Sequence, residues 1–141
     1  MQQVRAWLPE GRALPASVWE SRHRFILGFL FLHAVGLAIF GLVKGWSPYY
    51  ALGEGALIAS LGGLATWKKL GRKFRSATAA FGAATTSAVL TQFSGGYIEA
   101  HFHYFIVVAL IAFYQDWTSF LLVIGFVAFD HGLIGTLAPE W

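Results

Sequence analysis

The chain has 141 residues, 57% of them hydrophobic and 12% charged, with 16 glycines, 13 phenylalanines and a formal net charge of +3. This profile lies well outside ordinary soluble domains and predicts a membrane protein. The lack of cysteine excludes disulfides, thiolate metal sites and cysteine nucleophiles, so a metal would have to be held by His, Asp, Glu, Tyr or Met.

Residues 1–17 are polar and basic, and no small-residue cleavage site follows the first apolar run. They read as a cytoplasmic segment ahead of a permanent anchor, with a transmembrane sensor domain over residues 18–141. A bilayer core of about 30 Å takes roughly 20 apolar residues per helix. Five runs approach that length: Arg24–Val43, Pro48–Trp67, Ser76–Phe93, Ala100–Gln115 and Trp117–Leu137. The expected fold is therefore all-α, a polytopic transmembrane bundle of five spans with its N-terminus in the cytoplasm.

Local signals set the expected helix starts. Ser17-Val18-Trp19-Glu20 has the form of a capping box, which starts the first helix near Val18. Ser47 and Asp116 read as N-caps of the second and fifth helices, with Pro48 at the first helical position. The third run is rich in small and hydroxyl residues and carries Thr78, Thr85 and Gln92 at heptad spacing, which predicts a central helix closely packed by its neighbours. Gly41 and Gly45 form a GxxxG pattern at the end of the first span, the basis for expecting a homodimer.

Charge sets the orientation. Arg5, Arg12, Arg22, Arg24, Lys68, Lys69, Arg72, Lys73 and Arg75 fall on one side, which the positive-inside rule makes cytoplasmic. Beside membrane helices the basic run at 68–75 reads as a topology and lipid signal, not a nucleic-acid patch. On this topology His33, His101, His103 and His131, together with Glu54, Glu99 and Asp130, gather in the outer half of the bundle, with Lys44 as their one basic companion. His23, among arginines, is expected at the cytoplasmic edge with no special role.

Ionisable groups at membrane depth are costly and usually paired or functional. At about 100° per residue, Glu99 and His103 share a helix face while His101 points almost the other way. One helix therefore cannot offer both histidines to the same small ion unless its first turn is unwound. Two centres remain open, with haem placed slightly ahead of a bare metal ion. Haem b needs one or two of His33, His101, His103 and His131 as axial ligands and a flat apolar slot, for which Gly36, Gly132 and Gly135 leave space beside Phe29, Phe40, Phe126 and Phe129. A bare copper or zinc ion would need the same histidines to converge from several helices. Glu99, Asp130 and Glu54 are the acceptors that would orient the ligating imidazoles. Against haem, the site is acidic, and Lys44 alone is at hand for propionates. Nucleophile-elbow, Walker and Rossmann patterns are lacking, so no enzymatic activity is expected.

"VWESRHR", "LHAVGL", "SGGYIEAHFHYF", "ALIAFYQDW" and "DHGLIGTLAPE" together resemble the N-terminal membrane-embedded sensory region of bacterial signalling proteins. In that family the region is joined to a methyl-accepting chemotaxis module, a diguanylate cyclase or a sensor histidine kinase. The resemblance spans Val18 to Pro139 and gives weight to His33, Glu99, His101, His103, Asp116, Trp117 and His131. It implies an input domain in the bacterial cytoplasmic membrane whose cue is sensed in or through the bilayer, acting on a cytoplasmic output module absent from this chain; the expectation of a redox, gas or metal cue rests on the histidine geometry and not on the resemblance. Asp130-His131 stands where many relatives are expected to carry a His pair. The odd number of spans suggests a sensor fragment. The alternative is a small membrane haem protein for electron transfer, or a metal or proton transporter.

Overall fold

A computed structural model describes residues 14–137. Arg5, Arg12 and residues 138–141 lie outside the described residues, as do the surroundings of Gly135. The described part is all-helical: α1 (Ala16–Val43), α2 (Pro48–Thr66), α3 (Arg72–Ser94), α4 (Ile98–His101), α5 (His103–Ala112) and α6 (Trp117–Leu137).

Two of the three expected starts form as read. Ser47 Oγ accepts the Tyr50 amide at 3.3 Å, with Pro48 opening α2. Asp116 accepts the Thr118 and Ser119 amides at 3.4 and 3.2 Å, satisfying donors that a helix N-terminus otherwise leaves unpaired. The first start differs. Pro15 is the N-cap of α1 and no side chain caps it, so Ser17 lies inside the first turn and the capping box does not form. Pro15 stops the helix from extending further back, and its carbonyl accepts the Trp19 amide at 3.0 Å. Gly45, Gly95 and Gly96 take positive φ in the turns after α1 and α3, where a side chain would be strained.

The helices run up and down. Gly55 of α2 lies against Ala34 of α1, and Gly62 against Phe31, so these two are antiparallel. Gly82 of α3 meets Leu30 while Phe93 meets Gly41, so α3 runs parallel to α1. The expectation for the third run holds. Ser76, Thr78, Ala79, Ala80, Gly82, Ala83, Ala84, Thr85, Thr86 and Ser87 of α3 are all buried, with α1, α2 and α6 packed around them. Small residues allow that close approach, and Thr85 and Thr86 bond back along the helix, to Phe81 O at 2.9 Å and Ala83 O at 2.7 Å. The GxxxG glycines serve the chain itself: Gly41 packs on Phe93 and Ala51, and Gly45 forms the turn.

The exterior is apolar. Leu32 and Phe105 are each 71% exposed and Phe129 is 68% exposed, while Ser76, Thr86, Ser87, Ser119 and His23 are buried. By length and composition α1 alone among the described helices is long and apolar enough to cross a membrane, and Ile98–Ala112 and Trp117–Gly132 are shorter apolar stretches.

Candidate functional site

Two polar layers cross the bundle. The one at the arginine end is built on His23, and here the structure departs from the sequence reading. His23 is 1% exposed, not a surface residue at the membrane edge. Its ring stacks on Trp19 with centroids 4.5 Å apart, and Trp19 donates to Ser76 Oγ at 3.0 Å. The Ala65 carbonyl lies 3.0 Å from His23 Nε2 and can only accept, so Nε2 carries the proton and Nδ1 accepts from the Tyr114 hydroxyl at 2.6 Å. Arg75 and Arg72 lie over the Trp19 ring at 4.9 and 5.1 Å from its centroid. Arg75 also donates to Ala65 O, Arg72 to Leu14 O and Arg22 to Phe113 O, which gathers these arginines at one end of the bundle. Nothing in the local sequence signals this burial, since Tyr114 lies 91 residues away.

The second layer holds the predicted histidines. Phe102 interrupts the helix between α4 and α5, and the two flanking histidines diverge as helical geometry requires. His103 turns inward. Its Nδ1 meets Ser87 Oγ of α3 at 2.8 Å and its Nε2 meets His33 Nε2 of α1 at 3.2 Å. His33 Nδ1 lies 2.8 Å from Phe29 O one turn below, and the Phe29 ring stacks on His33 at 3.8 Å between centroids.

The proton positions follow. Phe29 O accepts only, so His33 carries its proton on Nδ1 and its Nε2 lone pair must accept. His103 Nε2–H then donates to it, and His103 Nδ1 accepts from the Ser87 hydroxyl. The chain of bonds runs in one direction, from Ser87 through both rings to Phe29. The residue left out by sequence reasoning is Ser87, hidden in a run of small side chains.

His101 and His131 form a separate pair nearer the rim. Their rings meet edge to face at 5.4 Å, and each Nδ1 bonds a carbonyl one turn back, Tyr97 O at 3.1 Å and Val127 O at 3.0 Å. Asp130 lies 4.0 Å from His131 Nδ1, but it accepts the Tyr104 hydroxyl at 2.6 Å. The expected acceptors fare differently from one another. Asp130 stands beside a histidine, whereas Glu99 is exposed and Glu54 half-buried, with no hydrogen bond or ion pair to a histidine among the described residues. Glu99, placed by helical pitch on the same face as His103, does not bond it, because His103 spends both ring nitrogens on α3 and α1.

The separation of His33 and His103 bears on a haem held by both of them. Axial histidines on opposite faces of a haem must leave a macrocycle between them, and Nε2 atoms 3.2 Å apart in mutual hydrogen bond leave none. A haem shared by this pair does not fit. Gly36 and Gly132 face open space, with no atom within 4 Å of an added Cβ, so they do not line an internal slot. No group of three or more His, Asp or Glu side chains placed to hold a metal occurs among the described residues. The two imidazole nitrogens of His33 and His103 do converge as a pair.

No protein-family model matches the chain, and no solved structure matches it. The chain is similar to Transducer protein Htr8 of Halobacterium salinarum, 36% identical over 146 residues that cover 95% of this chain. It spans 23% of that protein's length. From one end of its helices to the other, then, the chain is related to a segment of a signalling transducer.

Proposed function

We propose that the chain is the membrane-embedded input region of a transducer-type signalling protein, with its histidine layer as the sensing centre and no enzymatic activity of its own. The similarity to a transducer supports the signalling role. The exposed Leu32, Phe105 and Phe129 around buried hydroxyls and histidines support a lipid-facing exterior. Five spans follow if α2, α3, the α4–α5 pair and α6 cross alongside α1. The arginines at the His23 end then face the cytoplasm of the inner membrane, where an output module would be joined.

The observation that carries the sensing role is the His33–His103 contact, which joins α1 to α5 through two ionisable side chains that pure packing would not require. A bare ion at this pair suits the geometry better than haem. Its chemistry would be ligation by imidazole, with a redox, gas or metal cue read as a change at the centre. The test is a graft of the chain onto the cytoplasmic part of a methyl-accepting transducer, with receptor methylation as readout. A cue-dependent change that His103→Ala abolishes supports the reading, and a graft unresponsive to metal, redox and gas changes sinks it.

The transport reading gains one observation, because His23 and Tyr114 add a polar layer at the inner end. Ile26, Leu30, Val107 and Ile111, each 0% exposed, close the space between the layers. The two layers stand about 15 Å apart along α1 at 1.5 Å per residue, and the apolar packing between them favours sensing over passage.

A further inference from the structure

We infer that His33 and His103 form a two-nitrogen binding site for a soft monovalent transition-metal ion of the cuprous class, held through their Nε2 atoms. This deepens the proposed sensing role and rests on it for its biological meaning, but not for its chemistry.

Three observations carry the site. First, both rings are held from behind: His33 Nδ1 by Phe29 O at 2.8 Å and His103 Nδ1 by Ser87 Oγ at 2.8 Å. Histidine ligands are held in this way, one ring nitrogen fixed by a carbonyl or hydroxyl while the other meets the metal. Second, the free nitrogens converge. With metal–imidazole bonds of about 2.0–2.1 Å, two ligands at a trigonal to linear angle stand about 3.6–4.1 Å apart. The observed 3.2 Å places the two nitrogens within about 1 Å of that spacing, so an ion enters once the rings part by that small distance. Third, the donor set is neutral. Asp130 is engaged by Tyr104, Glu99 is exposed and neither carboxylate touches the pair. A dication would keep two uncompensated charges in a low-dielectric surround, whereas a monovalent ion keeps one. Imidazole suits copper, and cuprous copper accepts two or three donors where zinc takes four.

Binding exchanges one bond for another without changing charge on the protein. The His33 Nε2 lone pair leaves its hydrogen bond and goes to the metal. His103 gives up its Nε2 proton and takes one at Nδ1, so its Nε2 lone pair also becomes a ligand. Ser87 Oγ, formerly the donor, becomes the acceptor of His103 Nδ1–H, and its hydroxyl proton must turn to another acceptor on α3. No electron is transferred. The ion is therefore read out as a reversed hydrogen bond on the central helix.

The test uses the full chain, purified metal-free in detergent and titrated anaerobically with cuprous ion against a chromogenic chelator. One equivalent per chain is expected. His33→Ala and His103→Ala, checked for helicity by circular dichroism, should weaken binding by more than the roughly 100-fold ceiling seen for supporting residues, and Ser87→Ala by about 10-fold. His131→Ala should leave it unchanged. Nitrogen-15 spectra of the imidazoles provide a readout needing no variant: His103 should move from an Nε2–H to an Nδ1–H form as copper is added. Retention of copper by both alanine variants at wild-type affinity, unmoved His33 and His103 resonances, or preference for zinc at this pair would overturn the inference. A chain that binds no copper yet signals in the transducer graft refutes the site and leaves the sensor reading standing. One that binds copper but relays nothing supports the site and removes its proposed purpose.

Discussion

His33 Nε2 and His103 Nε2 lie 3.2 Å apart although 70 residues separate them in the chain, and this contact ties the first helix to the fifth. Its cost to the fold is set by what remains when one partner goes. With His103→Ala, His33 Nε2 loses a partner in a half-buried place and Ser87 Oγ in a buried one, at about 1–3 kcal/mol per unsatisfied group. The expected result is a fall in thermal midpoint in detergent larger than that of Ser87→Ala. A Ser87→Ala loss equal to that of His103→Ala would show the His33 bond to be energetically idle.

His23 should prove the most sensitive histidine for stability. His23→Ala removes a side chain that is 1% exposed, opens a cavity under Trp19 and strands the Tyr114 hydroxyl. A loss of about 3 kcal/mol is expected from the cavity and the orphaned group together. His131→Ala, with a side chain 43% exposed, should cost under about 0.5 kcal/mol. Chemical denaturation of the two variants side by side checks the ranking.

The α1–α2 seam depends on one glycine. A Cβ at Gly55 would stand 2.7 Å from the Ala34 carbonyl oxygen, a backbone atom that cannot swing aside. Gly55→Ala is expected to cost about 1–3 kcal/mol by overpacking. Gly53→Ala, two residues away with nothing within 4 Å, should be neutral or slightly stabilising in the same melt. Equal effects at the two positions would mean the helices separate freely.

The cap of α6 offers a local test. Asp116→Ala removes acceptors for the Thr118 and Ser119 amides and the Ser119 hydroxyl, and should cost about 1 kcal/mol. Asp116→Asn keeps an acceptor and should recover most of it. If the two variants melt together, the carboxylate's charge and not its cap is what matters.

What could be read in advance divides along physical lines. The caps at Ser47 and Asp116 were legible because the acceptor and its amides are two or three residues apart. The centrality of α3 was legible because small side chains in number have little use against lipid. The divergence of His101 from His103 followed from helical pitch alone. The burial of His23 was not legible, since its partners Ala65, Tyr114 and Trp19 come from three segments and its sequence neighbours are arginines. That Glu54 and Glu99 bond no histidine among the described residues was hidden for a related reason: depth along a helix can be read from sequence, but rotation toward a partner is fixed only by packing. Ser87 was hidden by the small residues that made its helix recognisable.

The inner and outer bridges share a geometry that matters beyond either one. His33–His103 and His23–Tyr114 both connect α1 to the same opposing segment, ten residues apart on one strand of the pairing and eleven on the other. They act as two marks on a pair of rulers, so any axial slip between α1 and its neighbour must change both lengths together. A slip of α1 along this segment would therefore alter the contact at the arginine-lined end as well as the one between the histidines.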